Sequence, residues 1–269
     1  MAFASDNAIR QANSANRKNV WRPYKTGAAA ATPQAAGQIV SLAALAGSPG
    51  AIADPSVYAT CTDLAGAMIN TNASPANSYL TSGWMTATQD GVLLVYDRLG
   101  HIGAVSLAAT GNKTVASTAL PRGMTADDLA NVECWIELTT ATTVTAPILS
   151  MNSYTNEAGT SGRAGATITF PAVATPTRWM AQLPLQAGDK GVQAVNTINV
   201  ATAASAGVCN VILLRQIAAI PCTANVTIPS ILIEELPRIY DGSSLCMMFL
   251  ASAAAVVSVR GSLVFSRDA

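Results

Sequence analysis

Short runs of alternating or β-branched apolar residues recur along this chain, and Gly, Pro, Asn or Ser interrupts them at roughly ten-residue intervals. That rhythm leaves little room for helices, whose 3.6-residue period needs longer uninterrupted stretches. The clearest runs are 91–96, 132–140, 145–154, 165–170, 192–200, 208–217 and 228–234, with a final pair at 245–251 and 256–266. In the run VECWIELTT, Val132, Cys134, Ile136 and Leu138 share one face and Glu133, Trp135 and Glu137 the other. The first face is expected to be core, and the second part-solvated or an interface. Only TADDLAN at 125–131 reads as a helix, with Thr125 as its cap and Asp127 and Asp128 in its first turn. Many strands with frequent breakers predict an all-β protein, an antiparallel β-sandwich of jelly-roll type.

The body of that sandwich is expected over 39–269. Residues 1–38 lack a sustained apolar period and read as an extended basic N-terminal arm and an Ala-rich linker, broken by Pro33 and Gly37. Residues 1–26 carry Arg10, Arg17, Lys18, Arg22 and Lys25 against Asp6, a net +4, while the remainder carries −4. With Trp21 and Tyr24 beside them, these five cations are the candidate interaction residues. A basic arm on an acidic body suits an anchor on a neighbouring subunit better than a nucleic-acid contact, which five charges and two aromatics hardly support.

Half of the residues are hydrophobic but only 11% are charged, against roughly 25% in an ordinary soluble domain. So few charges predict that much of the outside is covered in permanent contacts, with further copies of the chain as the first partner. The sixteen uncharged residues of 244–259 fall short of the roughly 20 that a spanning helix needs. They are expected to be two buried strands joined by a small-residue turn, with no membrane partner. MAFASDNAIRQ has no apolar run of the secretory kind, so synthesis in a cytoplasm is expected.

Catalytic chemistry has little to draw on. His101 is the single histidine and is read as a turn residue in YDRLGHIGA; the adjacent pairs Asp127–Asp128 and Glu234–Glu235 would point to opposite sides of a strand. Neither a G-x-G-x-x-G nor a G-x-x-x-x-G-K-[ST] phosphate loop occurs, nor an EF-hand run. Cys61, Cys134, Cys209, Cys222 and Cys246 are too widely spaced for a metal knuckle and are expected as reduced core residues. The expectation is a protein without catalytic residues, metal or cofactor, and not an enzyme.

Four segments, YDRLGHIG (96–103), SYTNEAGTSGRAG (153–165), LPLQAGDKGVQAVNTI (183–198) and LPRIYDGSSLCMM (236–248), resemble a family of tailed-bacteriophage virion structural proteins. The resemblance runs from about Gly91 to the C-terminus and leaves the arm uncovered. It implies a virion component assembled in the host cytoplasm. The low-charge β body suits a capsid decoration or cement protein, with a trimer and contacts to the major capsid protein as the favoured arrangement. The alternatives are a neck, collar or tail structural protein, or a receptor- or glycan-binding β module, for which Trp84, Trp135 and Trp179 would have to cluster in one groove.

Overall fold

The computed structural model describes residues 18–27, 33, 35–70, 78–118, 120–143, 145–171, 177–231 and 237–267. Its strands are β1 (Lys18–Trp21), β2 (Tyr24–Lys25), β3 (Ile39–Ser41), β4 (Gly47–Ser48), β5 (Ala59–Thr60), β6 (Met68–Asn70) and β7 (Ser78–Ala87). There follow β8 (Gly91–Ser106), β9 (Gly111–Thr114), the one-turn helix α1 (Ala126–Leu129), β10 (Val132–Thr140), β11 (Ile148–Asn156), β12 (Ile168–Thr169) and β13 (Trp179–Leu183). The last are β14 (Val192–Thr202), β15 (Val208–Cys222), β16 (Ile228–Ile231), β17 (Arg238–Ile239), β18 (Ser243–Ala251) and β19 (Val259–Arg267).

The predicted all-β, antiparallel character holds, and the layers pack sheet on sheet. The middle layer closes on itself: β8 pairs with β15, β15 with β10, β10 with β13, β13 with β3, β3 with β18, and β18 returns to β8. Closure removes the open edges of these strands and gives each of them two buried faces. Outside the ring, β8, β15 and β18 pack against β7 and β19 of the first sheet through Leu93, Val95, Met247, Phe249, Leu263 and Phe265. On another side, β10 and β15 pack against β11 and β14 of the third sheet through Cys134, Ile136, Leu138, Leu149, Met151 and Ile198. The interior of the ring holds Tyr96, Trp135, Met180, Ile212, Leu214 and Met248.

This arrangement corrects the reading of β10. Its first face is core as expected, but the face of Trp135 and Glu137 looks into the ring rather than toward solvent or a partner, with Trp135 only 5% exposed. Strands β7 and β13, which carry no clean alternation, and the short β4, β6, β9 and β17 lie outside the predicted runs. The turn expected within 244–259 lies between β18 and β19, and α1 starts at Thr125 with a reciprocal capping box to Asp128. All five cysteines are buried and unpaired, and burial pushes the thiols of Cys209 and Cys246 up to about 12, which leaves them unreactive.

The expected arm needs a larger correction. Its described part is two strands of the first sheet: β1 lies along 263–266 of β19, and β2 along Val259 and Arg260. Trp21 packs on the first core. Lys25 is buried, and its ammonium donates to the carbonyls of Leu45 (3.0 Å) and Gly50 (2.8 Å), while burial lowers its pKa to about 8. Alternation explains the split: Tyr24 and Lys25 are neighbours on a strand, so one faces out and the other in. Arg22 and Tyr24 are exposed, and Arg10 and Arg17 lie outside the described residues. Deleting residues 1–26 should therefore lower folding stability by at least about 3 kcal/mol, through lost Trp21 burial and unpaired β19 backbone. Urea unfolding of the full-length and truncated chains measures it; an unchanged midpoint would show that β1 and β2 add nothing to the body.

Candidate interaction surface

Asp97 and Arg98 occupy the middle of β8 and point to opposite sides of the ring. Each starts a buried ion network. Inside the ring, Arg98 lies 3.9 Å from Glu137, and Arg178 reaches Glu137 at 3.4 Å and Asp54 at 3.8 Å. The amide of Asn210 donates to both carboxylates, at 2.6 Å to Asp54 and 3.2 Å to Glu137. Arg98 also donates to Nδ1 of His101, so that nitrogen accepts and the neutral ring carries its proton on Nε2. Burial, followed by the Arg98 charge, lowers the His101 pKa to about 3. His101 is thus an inward strand residue at 1% exposure rather than a turn residue.

Outside the ring, Asp97 accepts from Arg122 (3.3 Å), from the Ser243 hydroxyl (2.8 Å) and from the Ser244 backbone (3.1 Å), and Arg215 lies 3.8 Å away. Burial raises the Asp97 pKa, and these partners work against that rise. Arg215 also pairs with Asp128, whose carboxylate accepts the backbone N–H of the N-cap Thr125 and the Tyr240 hydroxyl at 2.5 Å. Each network sets two guanidiniums against two carboxylates, the balance that buried charge requires. Arg122 and Arg178 both sit at φ 69, a left-handed conformation costing about 1–2 kcal/mol each, held here by their ionic partners.

A third polar cluster fastens the loops of the third sheet. Asp189 accepts from both Nε (3.0 Å) and Nη2 (2.9 Å) of Arg163, from Tyr154 and from Asn156. The Arg163 hydrogen bonds hold its carboxyl down at about 2. Gly159 and Gly162 supply the left-handed turn positions, and the side chain of Asn156 accepts the backbone N–H groups of Ala158 and Thr160. Segments 96–103 and 237–248 thus meet at Asp97, and 153–165 and 183–198 at Asp189.

The two ring networks are balanced in charge and largely closed off from solvent, although Nε of Arg98, Arg122 and Arg215 and Oδ1 of Asn210 have no hydrogen-bond partner among the described residues, so surface chemistry lies elsewhere. Three turns meet at one end of the first sheet. Thr88 donates to the carbonyl of Val256 (3.0 Å), Gln89 to that of Ala255 (2.9 Å), and the Ala224 N–H to the Asp90 carboxylate (2.7 Å). The tip they form exposes Ala253, Ala254, Ala255, Val256 and Val226, with Val226 at 49% and Val256 at 43%. Beside it runs an open groove of about 200 Å³ lined by Tyr24, Thr86, Thr88, Asn225, Ser258 and Arg260. Of the tryptophans weighed as a cluster, Trp135 and Trp179 are buried in separate cores and Trp84 alone stands out, on the outer face of β7. The expected anchor residues Trp21 and Lys25 face inward, so of the described candidates Tyr24 alone lines the groove. Thr86, Asn225 and Arg260 were not foreseen, since they come from three distant segments.

Among the described residues, no cluster of His, Cys, Asp and Glu could hold a metal ion, and no helix is long and apolar enough to cross a membrane. Two predictions follow from the ring interior. Glu137→Gln leaves Arg98 and Arg178 short of a counter-charge and should cost about 3–5 kcal/mol in denaturant unfolding; a loss below 1 kcal/mol would mean that the network is solvent-screened. Because His101 is neutral in the fold but protonates near 6.5 when unfolded, stability should fall as pH drops from about 6.5 toward 3, by up to about 1.4 kcal/mol per unit. His101→Gln should flatten that window, and an unchanged slope would place its cause in other groups.

No protein-family model and no curated protein matches the chain. Among solved structures, it is similar to a chain in the structure of the infectious bursal disease virus Gx strain, at 11% identity and TM-score 0.20, with 92% of this chain on 80% of that one. It is also similar to the infectious bursal disease virus VP2 subviral particle, at 10% identity and TM-score 0.12, where 93% of this chain spans only 41% of the other. A third is the D431N mutant VP2 protein in T=1 particles of that virus, at 12% identity and TM-score 0.12, with 93% of this chain on 40% of that one. Superpositions this loose carry no argument about fold or role, and the functional reading rests on the geometry of the chain itself.

Proposed function

We propose that this chain is a non-enzymatic structural subunit of a tailed-phage virion, acting as a decoration or cement protein of the capsid that packs against copies of itself and against the shell. One observation carries the reading: a chain with only 15 basic and 15 acidic residues buries Lys25, Asp97, Arg98, Glu137 and Arg215 in its own interior. That leaves at most 25 charged residues for the whole outside, 30 less these five, and the surface includes the uncharged Ala253–Val256 tip. A monomer exposed on all sides gains solubility from charge, whereas a subunit enclosed by neighbours needs small, closely fitting side chains. The resemblance of the four loop and strand segments supports the same assignment, and a neck or tail position is the second reading.

Light scattering should give a mass of three times the 27.5 kDa chain, and the protein should co-sediment with empty capsids. Val256→Asp, at an exposed turn position, should leave the fold intact but weaken assembly. A protein that stays at 27.5 kDa at all concentrations and ignores capsids would sink the cement reading.

A further inference from the structure

The groove beside the tip has a chemistry that subunit packing does not use. On the outer face of the first sheet Tyr24, Arg260 and Thr86 stand in one cross-strand row, since Tyr24 pairs with Arg260 and Arg260 with Thr86. Tyr24 is 50% exposed and offers an open ring face. Arg260 is exposed and, among the described residues, has no carboxylate partner. Among the described residues the Asn225 side chain and the hydroxyl of Thr86, itself only 7% exposed, make no hydrogen bond, whereas Thr88 and Ser258 are occupied in holding the turns. The carboxylate of Asp90 accepts the Ala224 N–H, and among the described residues it forms no ion pair with Arg260.

We infer that this groove binds a carboxylate-bearing saccharide, a uronic- or sialic-type sugar. The ring of Tyr24 would stack on the apolar C–H face of the sugar, Arg260 would grip its carboxylate with two parallel N–H bonds, and Thr86 and Asn225 would answer its hydroxyls. The volume, about 200 Å³, suits one sugar ring. Trp84 lies two strands and two residues from Tyr24, roughly 12 Å, where a second sugar unit would meet another aromatic face. A nucleic-acid strand fits less well, because tracking its phosphates takes a line of cations and the groove offers one. The inference does not depend on the cement reading: a subunit that fails to bind capsids could still bind the sugar, and the reverse.

Saturation-transfer NMR on the full chain tests it, with a disaccharide of glucuronic acid and N-acetylglucosamine and the same disaccharide carrying glucose in place of glucuronate. The acidic sugar should bind at about 1 mM or tighter, and the neutral one about tenfold more weakly. Tyr24→Ala should abolish the transfer, and Arg260→Ala should weaken the acidic sugar to the level of the neutral one, both leaving the thermal midpoint in place because the two side chains are exposed. Absence of transfer, equal binding of both sugars, or binding unaffected by either substitution would overturn the proposal. So would a single-stranded oligonucleotide that binds where the sugar does not.

Discussion

Asp97 and Arg98 are neighbours on β8, and because successive side chains of a strand leave on opposite sides, one charge enters the ring and the other lies against its outer wall. Neither can stay there alone, since an unpaired ion in such a place costs several kcal/mol. The remainder of the architecture supplies the partners. Glu137 comes from β10, Arg178 from the turn before β13, Asp54 from the loop over the end of the ring, and Arg215 from β15. Asp128 arrives at the cap of α1, so the single helix of the described residues is tied into the same network.

The cost of this design falls on the surface. Charges committed to the interior are withdrawn from the outside of a chain that has few to begin with, and what remains outward is dominated by small and hydroxylated side chains. The tip at Ala253–Val256 is the extreme case. Such a surface is poorly suited to a free monomer and well suited to close contact, while the groove at Tyr24 and Arg260 keeps one cation and one aromatic ring available for a ligand.

Backbone strain falls at the same places. Arg122 and Arg178 take left-handed conformations that arginine ordinarily avoids, and each sends its guanidinium to a buried carboxylate. The ion pairs and the strained turns thus sustain one another.

Much of the strand content was legible from local pattern. The VECWIELTT run coincides with β10, the run at 192–200 with most of β14, and the small-residue stretch near 254 with a turn between strands, because burial on at least one face imposes alternation wherever the chain forms a sheet. Thr125 and the two aspartates after it marked α1 for the equally local reason that a cap must satisfy free N–H groups. Alternation does not say what lies opposite a face. That the side of Trp135 and Glu137 looks into a closed ring, that Lys25 turns inward beside an outward Tyr24, and that Arg260, Thr86 and Asn225 share a groove were decided only when β18 returned to β8 and β1 and β2 settled on β19. These are pairings between residues tens to hundreds of positions apart, and the tertiary fold alone brings such residues together.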